Sequence, residues 1–243
     1  MKYLFFDYDG TLTWNGVISE KNKDALSKAK AAGHKIFLHT GRSKSNVPDD
    51  AFEGIDWDGM ICGKGYMEIE GRVVFEYRHS ADVLMRALDY CTEKGTRVLW
   101  EGVEHVYSNH PNEWLVDITK HLPPDPDFLR VTTIQLGGPM SEEDAKRFWD
   151  VEMCSYPGYS ELTPKGVTKS TGLEFIEREL GVPHGDIIVF GDSENDLEMI
   201  RYAETSVIMN HAPEVLWEYA TLRTESDENG VAEGIEKLLF NSQ

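Results

Sequence analysis

Positive charge is the scarcest resource in this chain. Its 243 residues hold 24 Lys and Arg against 43 Asp and Glu, a formal net charge of −19. Such a surplus repels the phosphates of bare nucleic acid and argues against binding it. Any anionic ligand would need local cations set against that field. Cysteine is nearly absent: Cys62, Cys91 and Cys154 are odd in number, far apart and form no CxxC. That excludes a disulfide scaffold and a cysteine-based zinc site, and suits a reducing compartment. Long apolar runs are missing as well. No stretch approaches the about 18 residues of a membrane span. The first apolar run is cut short at Asp7, so a secretory leader is not expected either. A cytoplasmic protein with no membrane partner is the expectation. Neither a 20–50-residue repeat nor a low-complexity tract is visible.

What is present is core material. Hydrophobic residues make up 40% and aromatics 11% of the chain, enough for a folded α/β protein. "YLFFD" at 3–7 predicts a fully buried strand. A helix is predicted from Ser19, its N-cap, with Ala25, Leu26, Ala29 and Ala32 on one face and Gly33 as its stop. "HKIFLHTGR" follows as a second strand. Strand, helix, strand at this spacing predicts a βαβ unit in a parallel sheet. "DGMIC" predicts a third core strand, and "GRVVFEY" another after a turn at "EIEGR".

The rhythm changes near Ser80. A helix is predicted over 81–94, then two strands turning at Glu101-Gly102, a helix over 112–121, a rigid "PPDPD" linker at 123–127, a strand in "FLRVTTIQL" and a helix capped by Ser141. The alternating pattern returns from Thr163, with a helix over 168–180, the strand "DIIVFGD", the helix "NDLEMIRYA", the strand "TSVIMN" and three further short elements. The expectation is a Rossmann-like parallel-sheet core, residues 1–79 and 163–243, interrupted by a smaller α/β module, residues 80–162.

In open parallel sheets, ligands bind beyond the C-terminal ends of the strands. Three apolar strands here end in polar, glycine-bearing tips: "LFFDYDGT", "IFLHTGR" and "IIVFGDSEND". Asp7 and Asp9 in "DYDGT" read either as an acidic turn or as two carboxylates with different tasks, one attacking and one moving protons. Thr40 and Gly41 read either as an ordinary turn or as donors to a phosphoryl oxygen. Lys165 and Lys169 sit at a predicted helix start, where a cation opposes the helix dipole unless an anion is near. Lys165 reads as a solvated surface residue. Asp192, Glu194 and Asp196 are either helix-capping acids or part of a cation site. EF-hand loops are excluded, because the sixth and twelfth positions are Leu12 and Ile18 counted from Asp7, and Leu197 and Ala203 counted from Asp192. Carboxylates from two strand tips would repel unless a cation sat among them, and few hard oxygen ligands favour Mg²⁺.

The ordered set "DYDGT", "TGR", "TKS" and "GDSEND" resembles the haloacid-dehalogenase-like hydrolases from end to end. "ELTPKGVTKSTGLEFI", "FGDSENDLEMI" and "NGVAEGI" are similar to the Cof-type sugar-phosphate phosphatases among them. The resemblance implies that Asp7 is the nucleophile, forming an aspartyl-phosphate, and that Asp9 is the general acid and then base. It implies that Thr40, Gly41, Lys169 and Asn195 hold the phosphate. Mg²⁺ would be held by the Asp7 carboxylate, the Asp9 backbone carbonyl, Asp192 and Asp196. Dehalogenases and phosphonate hydrolases of the family lack an Asp at the place of Asp9, so a phosphatase or phosphomutase is implied. The partner would be a small phosphorylated metabolite; the rival readings are a phosphomutase and a non-catalytic phosphometabolite-binding regulator. Thr11 and Thr40 lie 29 residues apart, Thr40 and Lys169 129 apart. Only the second gap has room for an inserted module, which resembles the α/β cap of the Cof-type enzymes. The chain departs from the family at His39, at Ser170 and at "CGKGY", which brings in Lys64. His39 reads as a structural core residue. Trp100, His105, His110, Trp114 and Arg130 are cap residues with no assignment among them.

Overall fold

The computed structural model describes residues 1–120 and 125–241. After Tyr3, strand β1 (Tyr3–Phe6) is wholly apolar, and Leu4, Phe5 and Phe6 are fully buried. Such a strand belongs in the middle of a parallel sheet covered on both sides. Helix α1 (Glu20–Ala31) follows, with the Ser19 hydroxyl accepting from the Asn22 amide at 3.2 Å. It returns the chain to β2 (Lys35–Thr40), parallel to β1 with Tyr3 opposite Lys35. β3 (Gly59–Cys62) continues the parallel series, and the antiparallel pair β4 (Tyr66–Ile69) and β5 (Arg72–Glu76) closes that edge.

The chain then leaves the sheet. α2 (Ala81–Lys94) runs from its Ser80 cap to Gly95. β6 (Val98–Gly102), β7 (Val106–Ser108), β8 (Val116–Asp117) and β9 (Val131–Gly137) precede the single turn α3 (Glu142–Ala145) and the hairpin β10 (Val151–Tyr156) and β11 (Tyr159–Pro164). These strands form a second, six-stranded sheet in the order β10-β11-β9-β6-β7-β8. One face packs Trp100, Ile134 and Leu162 against Val83, Leu84, Ala87 and Cys91 of α2. The period of two along each strand sends Glu101, Thr133, Gln135 and Glu161 to the other face.

The return path is α4 (Lys169–Leu180), β12 (Ile187–Gly191), α5 (Leu197–Tyr202), β13 (Thr205–Ile208), α6 (Glu214–Trp217), β14 (Leu222–Arg223) and α7 (Gly230–Ile235). β12 pairs with the free side of β1, Tyr3 opposite Ile187, giving the order β14-β13-β12-β1-β2-β3-β4-β5. α1 and α7 pack together on one face, α4 and α5 on the other. The architecture is the predicted one, a Rossmann-like core with a smaller α/β module inserted. No helix among the described residues is long and apolar enough to cross a membrane.

Four local expectations change. No helix forms over 112–120. The Asn112 side chain accepts from the Trp114 amide at 2.9 Å and Asp117 from the Thr119 amide at 2.9 Å, so local side chains take the amides a helix would use. Residue 121, which ended that helix, lies outside the described residues. So do Pro123 and Pro124 of the linker; Pro126–Leu129 form a 3₁₀ turn. Glu101 and Gly102 stay within β6, and the turn falls at 103–105. The hairpin β10–β11 around Pro157 and Gly158 has no counterpart in the sequence reading.

Candidate active site

The tips of β1, β2 and β12 meet at one sheet edge. The Asp7 amide still donates to the Phe190 carbonyl at 3.0 Å, so the β1–β12 ladder itself fixes the Asp7 backbone. Gly10 turns the chain at φ +87°, and a Cβ there would lie 2.4 Å from Asp192 Oδ2. Only glycine lets this loop press against the β12 tip. Thr11, next along, donates its hydroxyl to Asp192 Oδ1 at 2.8 Å.

Beyond β12, Asp196 Oδ2 accepts from the Asp192 and Ser193 amides at 3.0 and 3.1 Å. This is the capping role expected of an acid at a helix start. Its other oxygen has a second partner. Lys169, the first residue of α4, is buried and donates at 2.5 Å to both Asp7 Oδ1 and Asp196 Oδ1. Asp7, Asp192 and Asp196 each place an oxygen within 4.8 Å of the others. Two of these three carboxylates therefore share one ammonium, while Asp192 is held by the Thr11 hydroxyl. Burial alone would lower Lys169, but Asp196 and Asp7 hold it above its ordinary value. Burial raises Asp7 well above the usual carboxylate range and raises Asp192 too, with Asp196 adding to both shifts. A surplus of clustered hard oxygens at a sheet edge fits a divalent cation of the Mg²⁺ type.

The side chain of Asp9 stands outside this cluster. It is bound by Arg42 through Nε and Nη2, each 2.7 Å from a carboxylate oxygen. Arg42 also donates to the Asn46 carbonyl at 3.1 Å. Thr40 is buried, accepts from the Arg42 amide at 3.1 Å and does not reach the cavity wall. Gly41 and Asn195 do, and they adjoin each other. His39 is fully buried against Phe5, and neither ring nitrogen has a hydrogen-bond partner among the described residues. Burial, with the Lys169 charge, holds it well below its normal range, so it is a neutral core residue. Lys165 donates to the Trp149 carbonyl at the surface, at 3.3 Å.

Above these tips lies a cavity of about 210 Å³. Asp7, Asp9, Arg42 and Lys169 form its floor; Gln135, Tyr156, Tyr159 and Glu161 of the second sheet form its roof, with Lys64 at the side. The second sheet is docked by polar contacts: Ser45 donates to the Gly102 carbonyl at 2.7 Å, and Thr133 donates its hydroxyl to the Gly63 carbonyl at 3.3 Å. None of Trp100, His105, His110, Trp114 and Arg130 lines the cavity. Trp100 sits in the module's core, Trp114 is 80% exposed, and Arg130 is paired with Glu76. Sequence reasoning missed Arg42, the four roof residues, and His211, whose Nε2 lies 3.4 Å from Asp192 Oδ2. A period of two along 159–163 would have found Tyr159 and Glu161 had the hairpin been recognised.

Comparisons with known proteins agree with this arrangement. The haloacid dehalogenase-like hydrolase family matches over residues 4–133 and 141–235. The phosphoglycolate phosphatase of Archaeoglobus fulgidus is 41% identical, the alignment covering 98% of this chain and 96% of that protein. A 5-amino-6-(5-phospho-D-ribitylamino)uracil phosphatase of Bacillus subtilis, YitU, is 26% identical with 94% of each covered. A solved structure of a sugar phosphatase of subclass IIB superposes with a TM-score of 0.75 at 26% identity, covering 98% of both chains.

Proposed function

The chain belongs to the haloacid dehalogenase-like hydrolases and is a phosphatase of that family, and from that premise we propose a Mg²⁺-dependent hydrolysis of a small phosphomonoester through an aspartyl-phosphate. The observation that carries the proposal is the convergence of Asp7, Asp192 and Asp196 within 4.8 Å of one another, with the buried ammonium of Lys169 bound to Asp7 and Asp196, beneath the cavity. The Asp7 carboxylate attacks phosphorus and the ester oxygen leaves with a proton from Asp9. Asp9 then takes a proton from water, water attacks the aspartyl-phosphate, and inorganic phosphate departs with Asp7 restored. One acid–base group thus serves both halves. When bound among the carboxylates, Mg²⁺ supplies charge neutralisation for the phosphoryl oxygens.

The chain's own residues supply the remainder. Lys169 orients Asp7 and offsets its repulsion from the anionic substrate. Gly41 and Asn195 face the space where the phosphoryl oxygens would lie; Thr40 acts behind them through the Arg42 amide. Asp9 must leave its pairing with Arg42 before it can carry a proton to the leaving group. Residues 80–162 act as the cap that excludes water and contacts that group. A volume of about 210 Å³ suits a small metabolite, a sugar phosphate or one of similar size. The test is phosphate release from an aryl phosphate with and without Mg²⁺, wild type against Asp7→Asn. An Asp7→Asn variant that keeps full turnover would falsify the mechanism.

A further inference from the structure

A second cavity adjoins the first at Lys64, on the α4 side of the core sheet. Gly172 lets α4 press on β3: a Cβ there would meet Ile61 Cδ1 at 2.7 Å. Farther out, the β4–β5 ladder slips register between Met67 and Glu68, and such a bulge bends a sheet edge. Between that edge and the helix lies a pocket of about 100 Å³. Ile61 and Met67 are its buried base, with Phe75 and Phe175, rings 6.1 Å apart, on its sides. An apolar cavity of about 150 Å³ takes up benzene. This one suits an isobutyl-sized group, with the rest of the ligand at the mouth.

Most polar groups around the mouth are already engaged. Tyr66 donates to Glu68 at 2.7 Å and accepts from Lys44 at 3.0 Å. The Thr171 hydroxyl accepts from the Thr168 amide at 3.1 Å, and Glu174 accepts from the Ser170 hydroxyl at 3.1 Å. Arg178 donates to Glu179 at 2.7 Å. Lys64 is the exception: its ammonium has no hydrogen bond or ion pair among the described residues. Two cations, Lys64 and Arg178, thus border the pocket against one acid, Glu174. In so acidic a chain, that balance favours an anion with an apolar body over a neutral or cationic ligand. One free ammonium matches a single charge, a carboxylate rather than a phosphate dianion.

Lys64 also borders the phosphoryl cavity. It sits at φ +58° between Gly63 and Gly65, in the turn whose Gly63 carbonyl takes the Thr133 hydroxyl of the second sheet. The turn therefore touches the core, the inserted module and both cavities. One ammonium cannot face both cavities at once. We propose that the pocket between α4 and β3–β5 binds a small carboxylate with a branched apolar body, and that its occupant recruits Lys64 from the phosphoryl cavity and weakens the binding of anionic substrate. Two distinct sites would then be coupled through one side chain. The pocket stands apart from the phosphatase reading; only its effect on KM rests on that reading.

The probe is 4-methylpentanoate. Its controls are 4-methylpentan-1-ol, which keeps the apolar body, and acetate, which keeps the charge. Calorimetry without divalent cation should show one 4-methylpentanoate bound per chain, with a Kd of about 1 mM or tighter. Each control should bind about tenfold more weakly or worse. Lys64→Asn removes the charge with a residue type that tolerates positive φ, and should weaken the probe about tenfold; Phe175→Ala should weaken it about fivefold. In turnover of an aryl phosphate with Mg²⁺, the probe should raise KM about threefold and then level off, whereas competition at the phosphoryl site raises KM without limit. Equal binding of either control overturns the proposal, as do an affinity unmoved in Phe175→Ala, a KM that climbs without a plateau and a KM that saturating probe leaves unchanged. Absence of all turnover counts against the phosphatase reading instead, and calorimetry then decides the pocket alone. The comparison of three ligands on the wild-type protein stands even where a variant fails to fold.

Discussion

Replacing Lys169 by Met removes one charge from the most crowded spot in the molecule. The side chain is 1% exposed and makes two 2.5 Å ionic hydrogen bonds. Breaking a buried pair by removing one partner costs about 3–5 kcal/mol. The carboxylates left behind have oxygens within 4.8 Å of one another, where two unit charges repel by roughly 3–4 kcal/mol at an effective dielectric of about 20. Proton uptake by Asp7, already favoured by burial, relieves part of that. The net expectation without divalent cation is a loss of about 3 kcal/mol. At this chain length that lowers Tm by roughly 6–12 °C. Saturating Mg²⁺ should return about 2–3 kcal/mol through binding to the folded state alone. Activity should not return with it, because the charge facing the phosphoryl group is gone; kcat should fall by about 10³-fold or more. Circular dichroism melts in chelator and in Mg²⁺, with phosphate release on the same samples, make the test. Adding Asp196→Asn should recover stability in chelator but not turnover. A Lys169→Met protein that melts within about 2 °C of wild type in chelator, or keeps a tenth of its kcat, would refute the reasoning.

Other outcomes follow from single contacts. Gly10→Ala puts a methyl group 2.4 Å from Asp192 Oδ2 at φ +87°; it should cost about 1–3 kcal/mol and most of the Mg²⁺ affinity, read by melting and metal titration. Arg42→Ala frees Asp9 from two 2.7 Å bonds but removes a cation from the cavity floor; loss of that charge facing an anionic substrate should lower kcat/KM about 10- to 100-fold, chiefly through KM, and unchanged kinetics would remove Arg42 from the site. Burial pushes His79 down to about 4. The folded chain thus binds that proton more weakly than the unfolded chain does, and stability should fall as pH drops from 6.5 toward 4. His79→Leu should flatten this limb by about 3 kcal/mol in urea melts taken across that window. Glu161 is pushed the other way, up to about 7, by burial and Glu101 against the opposing Lys64. Its ionised form is disfavoured in the fold, so Glu161→Gln should gain stability relative to wild type as pH rises from about 4.5 through 7. Its partial exposure limits that gain to roughly 1–2 kcal/mol.

The core was legible because its strands are buried on both faces. "YLFF", "IFLH" and "IIVF" each read as continuous apolar runs, and each ends in the polar tip that marks the site edge. Lys169 is a different matter. Its residue type predicts a solvated surface position, and only its place in "TKS" marks it; the burial comes from two acids 162 and 27 residues away. The Arg42–Asp9 pairing was invisible for the same reason, since 33 residues separate the partners and both were read one at a time. The roof was missed at the level of secondary structure. Its hairpin turns on Pro157-Gly158, not Asn-Gly, and "VEMCSY" alternates weakly, so neither the strands nor the face carrying Glu161 could be read. Over 112–120 the error ran the other way, where local side-chain hydrogen bonds overrode an apolar spacing.

The central place of β1 sets a clock on the birth of the molecule. Its first neighbour, paired at Lys35, leaves the ribosome soon after it; its second, paired at Ile187, follows 152 residues later. At about 5–20 residues per second that interval is on the order of ten to thirty seconds. Throughout it the nascent chain holds Phe5 and Phe6 at an open sheet edge, a template for wrong pairing. For most of that time Asp7 exists without Lys169, and for all of it without Asp192 or Asp196. The newborn chain therefore passes through a long, sticky and catalytically silent adolescence, and the strand that ends it is the one that also completes the site.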